Sequence, residues 1–163
     1  MKPCKTCLKG KRVNGRSFCL KCIWAKARTK KEARKLKKKE KRENNTRLLK
    51  AKLDKVFSVW IRKKYSDQFG KAQCVSCGKK DDWTKLQCGH YISRGNYSTR
   101  YSEKNCFPQC VADNIFKKGD YPNFTKHILD NYGEQYLQDL ISEGRKIKQW
   151  TANELRELIA KYT

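Results

Sequence analysis

The sequence predicts an α+β protein: a small zinc-stabilised ββα-metal core with flanking helices, preceded by a zinc ribbon and a long basic helix. Three observations carry this expectation. Cysteines are paired as Cys-x-x-Cys at Cys4 and Cys7, at Cys19 and Cys22, and at Cys74 and Cys77. The run from Ala25 to Lys55 contains neither glycine nor proline. Apolar residues recur at helical spacing on both sides of the segment from Cys74 to Asn114. The division that follows is 1–24 for a Cys4 module, 25–55 for a basic helical arm and 56–163 for the metal-centred domain with its C-terminal helices.

Composition bounds the possibilities. The chain has 163 residues, 37% hydrophobic and 34% charged, enough for one packed domain plus a solvated extension. Its formal charge is +24, from 40 lysines and arginines against 16 acidic residues. Such an excess repels itself and calls for a polyanionic partner, of which nucleic acid is the commonest. No stretch is apolar enough to span a bilayer, so no membrane partner is expected. Met1 runs directly into Lys2, Pro3 and Cys4 without an apolar core, so no secretory signal is expected and the location should be cytoplasmic. Thiols stay reduced there, and nine cysteines then point to metal ligation rather than disulfides.

Each Cys-x-x-Cys pair offers two thiolates from one tight turn, which suits tetrahedral zinc. Cys4, Cys7, Cys19 and Cys22 make a complete set for a first zinc, and Gly10, Asn14 and Gly15 between them favour a hairpin joining two knuckles. The arm that follows is built of strong helix formers, with lysine and arginine throughout and few apolar residues before Leu48. Its first part has no face to bury and should be a solvated helix, with Lys37, Lys38 and Lys39 available to phosphates. Leu48, Leu49, Leu53, Val56, Phe57, Trp60 and Ile61 then mark where a helix docks on a core.

The central segment holds the chemistry. Cys74 and Cys77 form a third knuckle, and the aromatic and β-branched content near Trp83 to Arg94 predicts a strand ending at His90. A loop through Gly95, Asn96 and Ser98 leads to a return strand, then to Cys110, Asp113 and Asn114. Helix is expected to begin near Ile115. A second zinc should be held by Cys74, Cys77, Cys110 and Asp113, a Cys3Asp set in which carboxylate oxygen is an acceptable ligand. The alternative is that Cys88 or Cys106 supplies the fourth ligand and Asp113 turns to a harder ion. Beyond Gly119, apolar positions at helical intervals broken at Gly133 predict two short helices, and Thr151 with Glu154 forms a capping box for a last one.

Gly89-His90-Tyr91, Asn105, Gln109-Cys110-Val111, Asn114 and Lys118-Gly119, in that order, resemble the NinG (Rap) recombination nucleases of lambda-like phages, which belong to the HNH or His-Me finger group. The N-terminal cysteine cluster, basic arm and Trp150-Thr151 extend the likeness over most of the chain. The resemblance implies a structure-specific DNA endonuclease acting on branched recombination intermediates such as Holliday junctions and D-loops. It also implies structural zinc and a catalytic Mg2+ or Mn2+, with the host cytoplasm as location. His90 would then be the general base that activates water, since an imidazole titrates near neutrality. Asn105 would orient that ring, and Asn114 would offer its amide oxygen to the hard cation. Arg94, Arg100, Lys117 and Lys118 would join the arm in binding DNA. Symmetric resolution of a junction would call for a homodimer, and other recombination proteins are candidate partners.

One departure bears on catalysis. Gly89 stands where many HNH enzymes carry a metal-binding aspartate, which leaves the cation short of protein carboxylates. A non-catalytic, zinc-dependent protein that binds branched DNA or RNA is therefore the competing expectation.

Overall fold

The computed structural model describes residues 2–3, 5–11 and 17–163. Its contacts divide the chain into two units, Met1–Asn45 and Thr46–Thr163.

In the first unit a short antiparallel bridge joins Pro3 to Lys11, and helix α1 spans Leu20–Glu43. Cys19 is its N-cap residue and Cys22 lies in its first turn, so the second cysteine pair is carried on a helix N-terminus rather than on a second hairpin knuckle. The helix therefore starts inside the expected 1–24 module. It buries no residue, as its composition predicts. Its stability rests on propensity and on exposed pairs one turn apart, such as Arg28 with Glu32 at 3.3 Å. It stops at Asn44, earlier than the expected boundary at residue 55.

The second unit begins with helix α2, Thr46–Lys64. Two short hairpin-like pairs follow: β1 (Lys71–Gln73) with β2 (Lys80–Asp82), and β3 (Gln87–His90) with β4 (Cys106–Gln109), both antiparallel. The register of the second pair sets Gln87 opposite Gln109 and His90 opposite Cys106. After β4 the chain enters a π-helical turn, Ala112–Phe116, instead of the α-helix expected from Ile115. The wide turn closes with Lys117 N–H donating to the Ala112 carbonyl at 2.9 Å. Left-handed backbone at Lys118, Gly119 and Asp120 then redirects the chain into helix α3, Tyr121–Gly144. Gly133, at φ 81°, interrupts α3, in line with the two expected helices. Helix α4, Ala152–Tyr162, carries the Thr151–Glu154 capping box.

Two apolar clusters hold the strands. Leu53, Phe57 and Ile61 of α2 pack with Tyr101, Cys106 and with Leu155, Ile159 and Tyr162 of α4. Phe107 of β4 packs with Phe124, Ile128 and Leu137 of α3. Successive residues of β4 face opposite sides, so Cys106 joins the first cluster and Phe107 the second. The β3–β4 pair is thereby clamped between α2 and α3. Arg62 of α2 adds a polar tie, donating through Nη1 to the carbonyls of Trp83 at 3.2 Å and Leu86 at 3.1 Å, just before β3. Among the described residues no helix is long and apolar enough to cross a membrane.

Candidate metal and nuclease site

The third knuckle is built from backbone geometry. Gly78 N–H donates to the Cys74 carbonyl at 2.9 Å, closing a turn that presents Cys74 and Cys77 together. β4 delivers Cys110 beside them, and its backbone N–H donates to Cys74 Sγ at 3.2 Å. The π turn then folds Asp113 inward, 1% exposed, with Oδ2 3.2 Å from both Cys74 Sγ and Cys110 Sγ. The four ligand atoms of Cys74, Cys77, Cys110 and Asp113 lie within 4.8 Å of one another. Three thiols and a carboxylate at that spacing suit a tetrahedral zinc ion. This favours the Cys3Asp set over the alternative, because Cys88 and Cys106 gather elsewhere, around His90.

Charge in this cluster is balanced by Lys117. Its Nζ lies 2.8 Å from Asp113 Oδ1 and 3.4 Å from Asp120 Oδ2. Burial would raise the Asp113 carboxyl, but the neighbouring thiols and Lys117 outweigh it and hold the group well below the usual carboxylate range. Lys117, expected on DNA, pairs here with the carboxylate of a candidate zinc ligand. Burial also pushes the Cys77 thiol up to about 12.

In the first unit the ligand atoms of Cys7, Cys19 and Cys22 likewise lie within 4.8 Å of one another. Cys4, expected as the fourth, lies outside the described residues. Backbone N–H groups of Gly10 and Lys9 hold the exposed Cys7 thiol below its ordinary range. Both groups could therefore hold zinc.

His90 ends β3. Its Nε2 lies 3.1 Å from the Arg100 carbonyl, and since a carbonyl only accepts, the neutral ring carries its proton on Nε2 and its lone pair on Nδ1. Burial lowers the ring's pKa, partly offset by the carbonyls of Arg100 and Cys88. The imidazole is thus neutral at pH 7, as a base requires. The Asn105 side chain makes its hydrogen bonds elsewhere. The buried Asn105 carboxamide accepts from Ile92 N–H at 2.7 Å and donates to the carbonyls of Ile92 and Thr99 at 2.8 and 3.1 Å. It braces the loop between β3 and β4, and the ring is oriented by a backbone carbonyl on that loop.

Asn114 follows the second zinc group directly and donates through Nδ2 to Gln87 Oε1 at 2.6 Å. Gln87, unremarked in the sequence, is thereby the nearest protein partner of the candidate cation ligand. Gly89 also has a steric explanation. A Cβ built there would lie 2.1 Å from Gln109 Oε1, so any side chain at this position would force the buried Gln109 carboxamide to move. Gln109 Nε2 donates to Ser76 Oγ and the Gly119 carbonyl, both at 2.7 Å, tying the knuckle to the end of the π turn. Gln87 and Gly89 face this side of β3, while Cys88 and His90 face the side covered by α2.

Arg100 is also committed to the fold. Its Nε and Nη2 donate to both carboxylate oxygens of Asp54 on α2, at 2.9 and 2.6 Å, and its side chain is 13% exposed. Arg100, expected on DNA, is held here by Asp54. Arg94, Lys118, Lys37, Lys38 and Lys39 are exposed.

The fold and site define a cysteine-rich, strongly basic α+β protein with two ligand groups suited to zinc. Over residues 4–163 the chain matches the family described as bacteriophage lambda NinG protein, and it belongs to that family. Comparison with curated proteins and with solved structures gave no match.

Proposed function

We propose that this protein is a divalent-metal-dependent DNA endonuclease of phage recombination, acting on branched DNA. The observation that carries the reading is the pairing of Asn114 with Gln87 at 2.6 Å. It ties the turn after a zinc group to the strand that ends in a neutral, backbone-oriented histidine. A β-hairpin feeding a helical turn around a zinc group, with His90 at a strand end, is the ββα-metal plan that the family resemblance implies.

The Asn114 and Gln87 carboxamide oxygens would hold a hard cation such as Mg2+ or Mn2+, which suits oxygen ligands and retains waters where protein carboxylates are lacking. When bound, such an ion stabilises charge on a scissile phosphate. His90, on the other face of β3, takes a proton from water at Nδ1, and the Arg100 carbonyl fixes the ring through Nε2. Arg94, Lys118 and the exposed lysines of α1 contact phosphates. The zinc groups frame this arrangement and take no part in bond cleavage. A test is incubation of the zinc-loaded protein with Holliday junctions, D-loops and linear duplex in Mg2+ or Mn2+. Equal cutting of linear duplex would remove the claim of structure specificity.

A second reading, a zinc-dependent binding protein without catalysis, draws on a specific observation. Gln109 fills the space beside Gly89 where a metal-binding carboxylate would stand, and Asn114 contacts only a carboxamide. Junction binding without cleavage in any divalent metal would decide for it.

A further inference from the structure

The side of β3 turned away from the zinc group carries a second constellation. Cys88, His90 and Cys106 each direct one ligand atom into a common space, all within 4.8 Å of one another. The register explains their convergence: His90 and Cys106 are direct partners across the pair, and Cys88 stands two residues before His90 on the same face. Cys106 is fully buried, and its Sγ lies 3.9 Å from the Arg100 carbonyl. Neither cysteine belongs to a zinc group described above.

We infer that Cys88, His90 and Cys106 form a third metal site, selective for a soft, thiophilic ion of the zinc class, that captures the His90 imidazole. Two sulfurs and one ring nitrogen match the ligand set of three-ligand zinc sites, and soft thiolates disfavour Mg2+. The charge balance suits a half-buried position. Two thiols lose their protons to solvent as the ion enters, so two thiolates and a neutral imidazole around a divalent cation carry no net charge.

The consequence rests on the nuclease reading: an imidazole that ligates a metal no longer serves as base, so zinc at this site holds the enzyme off. The site's existence does not depend on that reading. Metal is counted on the full-length protein by native mass spectrometry, with zinc added beyond the two structural equivalents and Co2+ as spectroscopic probe. A third equivalent is expected in the wild type, with thiolate-to-cobalt absorption. Cys88→Ser and His90→Asn should each lose it while keeping two zincs and an unchanged thermal transition. Cys88, partly exposed and outside the proposed catalytic groups, serves as the main variant because Cys106→Ser alters a fully buried position.

A wild-type count that stays at two, or a third equivalent that survives both substitutions, overturns the site. In Mg2+ assays, excess zinc should slow junction cleavage by wild type at least tenfold more than cleavage by Cys88→Ser; equal inhibition overturns the regulatory role. A protein that binds the third ion yet cuts nothing in any metal leaves the site standing and removes the nuclease reading instead.

Discussion

Asn114 Nδ2 donates to Gln87 Oε1 across 2.6 Å, joining the π turn that follows the second zinc group to the first residue of the strand ending at His90. The zinc group and the candidate base are therefore coupled through a four-residue strand. Anything that shifts the knuckle shifts β3, and so Asn114 and Gln87, together.

Gly89→Ala tests how closely that strand is packed. The new methyl would lie 2.1 Å from Gln109 Oε1, and the carboxamide would have to leave Ser76 and Gly119 to make room. Overpacking plus lost buried hydrogen bonds should cost about 1–3 kcal/mol. Thermal unfolding of the zinc-loaded protein checks this, and an unchanged midpoint would contradict the packing assigned to Gln109. Gly89→Asp should be worse and should not gain activity.

Asp113 and Lys117 should behave as metal-site residues. Asp113→Ala should release one zinc of two, and Lys117→Ala should weaken zinc retention about 10–100-fold, the usual effect of removing a group that supports a ligand. DNA affinity with zinc held saturating should fall little in Lys117→Ala. By contrast, neutralising Lys37, Lys38 and Lys39 together should leave zinc unchanged and reduce the slope of log affinity against log salt by about 3, near 0.9 per phosphate contact. Metal analysis and salt-dependent binding separate the two sets.

Zinc capture should depend on pH in a definite direction. In the metal-free knuckle burial raises the Cys74 thiol and pushes Cys77 up to about 12, so both are protonated at neutral pH. Loading must expel those protons, and affinity should fall as pH is lowered. Proton release into a weakly buffered indicator on zinc addition measures it; loading without release would contradict the assignment.

The Asp54–Arg100 pair makes a stability prediction. Burial would raise the Asp54 carboxyl, but the Arg100 hydrogen bonds outweigh it and hold the group below its ordinary range. A depressed carboxylate contributes its full stability above the ordinary value of about 3.9 and loses it as pH falls through the folded value. Arg100→Ala should cost about 1–3 kcal/mol at pH 7 and less in acid, as for a charged hydrogen-bonded pair that is partly solvated. Denaturant unfolding at two pH values checks the sign.

Spacing made the metal groups legible, because two thiols from one turn are a local property of Cys-x-x-Cys. The break at Gly133 and the Thr151–Glu154 box are local for the same reason. What stayed hidden depends on register and on contacts distant in sequence. Gln87 meets Asn114, 27 positions away, and Arg100 meets Asp54, 46 positions away. No periodicity announces either contact, so the sequence sets Arg100 among the DNA-binding cations and gives Gln87 no role. Cys88 and Cys106 flank His90 only once β3 and β4 are aligned. The helix expected at Ile115 gives way to a π turn, whose wider path brings Asp113 to the thiols.

Catalysis by His90 is measured most directly by single-turnover cleavage of a Holliday junction in Mg2+ or Mn2+ by wild type and by His90→Ala, both with two zincs bound. The wild type should cut and the variant should lose about 10²–10⁴-fold, the range for a general base, with junction binding unchanged. Cleavage undiminished in His90→Ala, or no cleavage by the wild type in either metal, would contradict it.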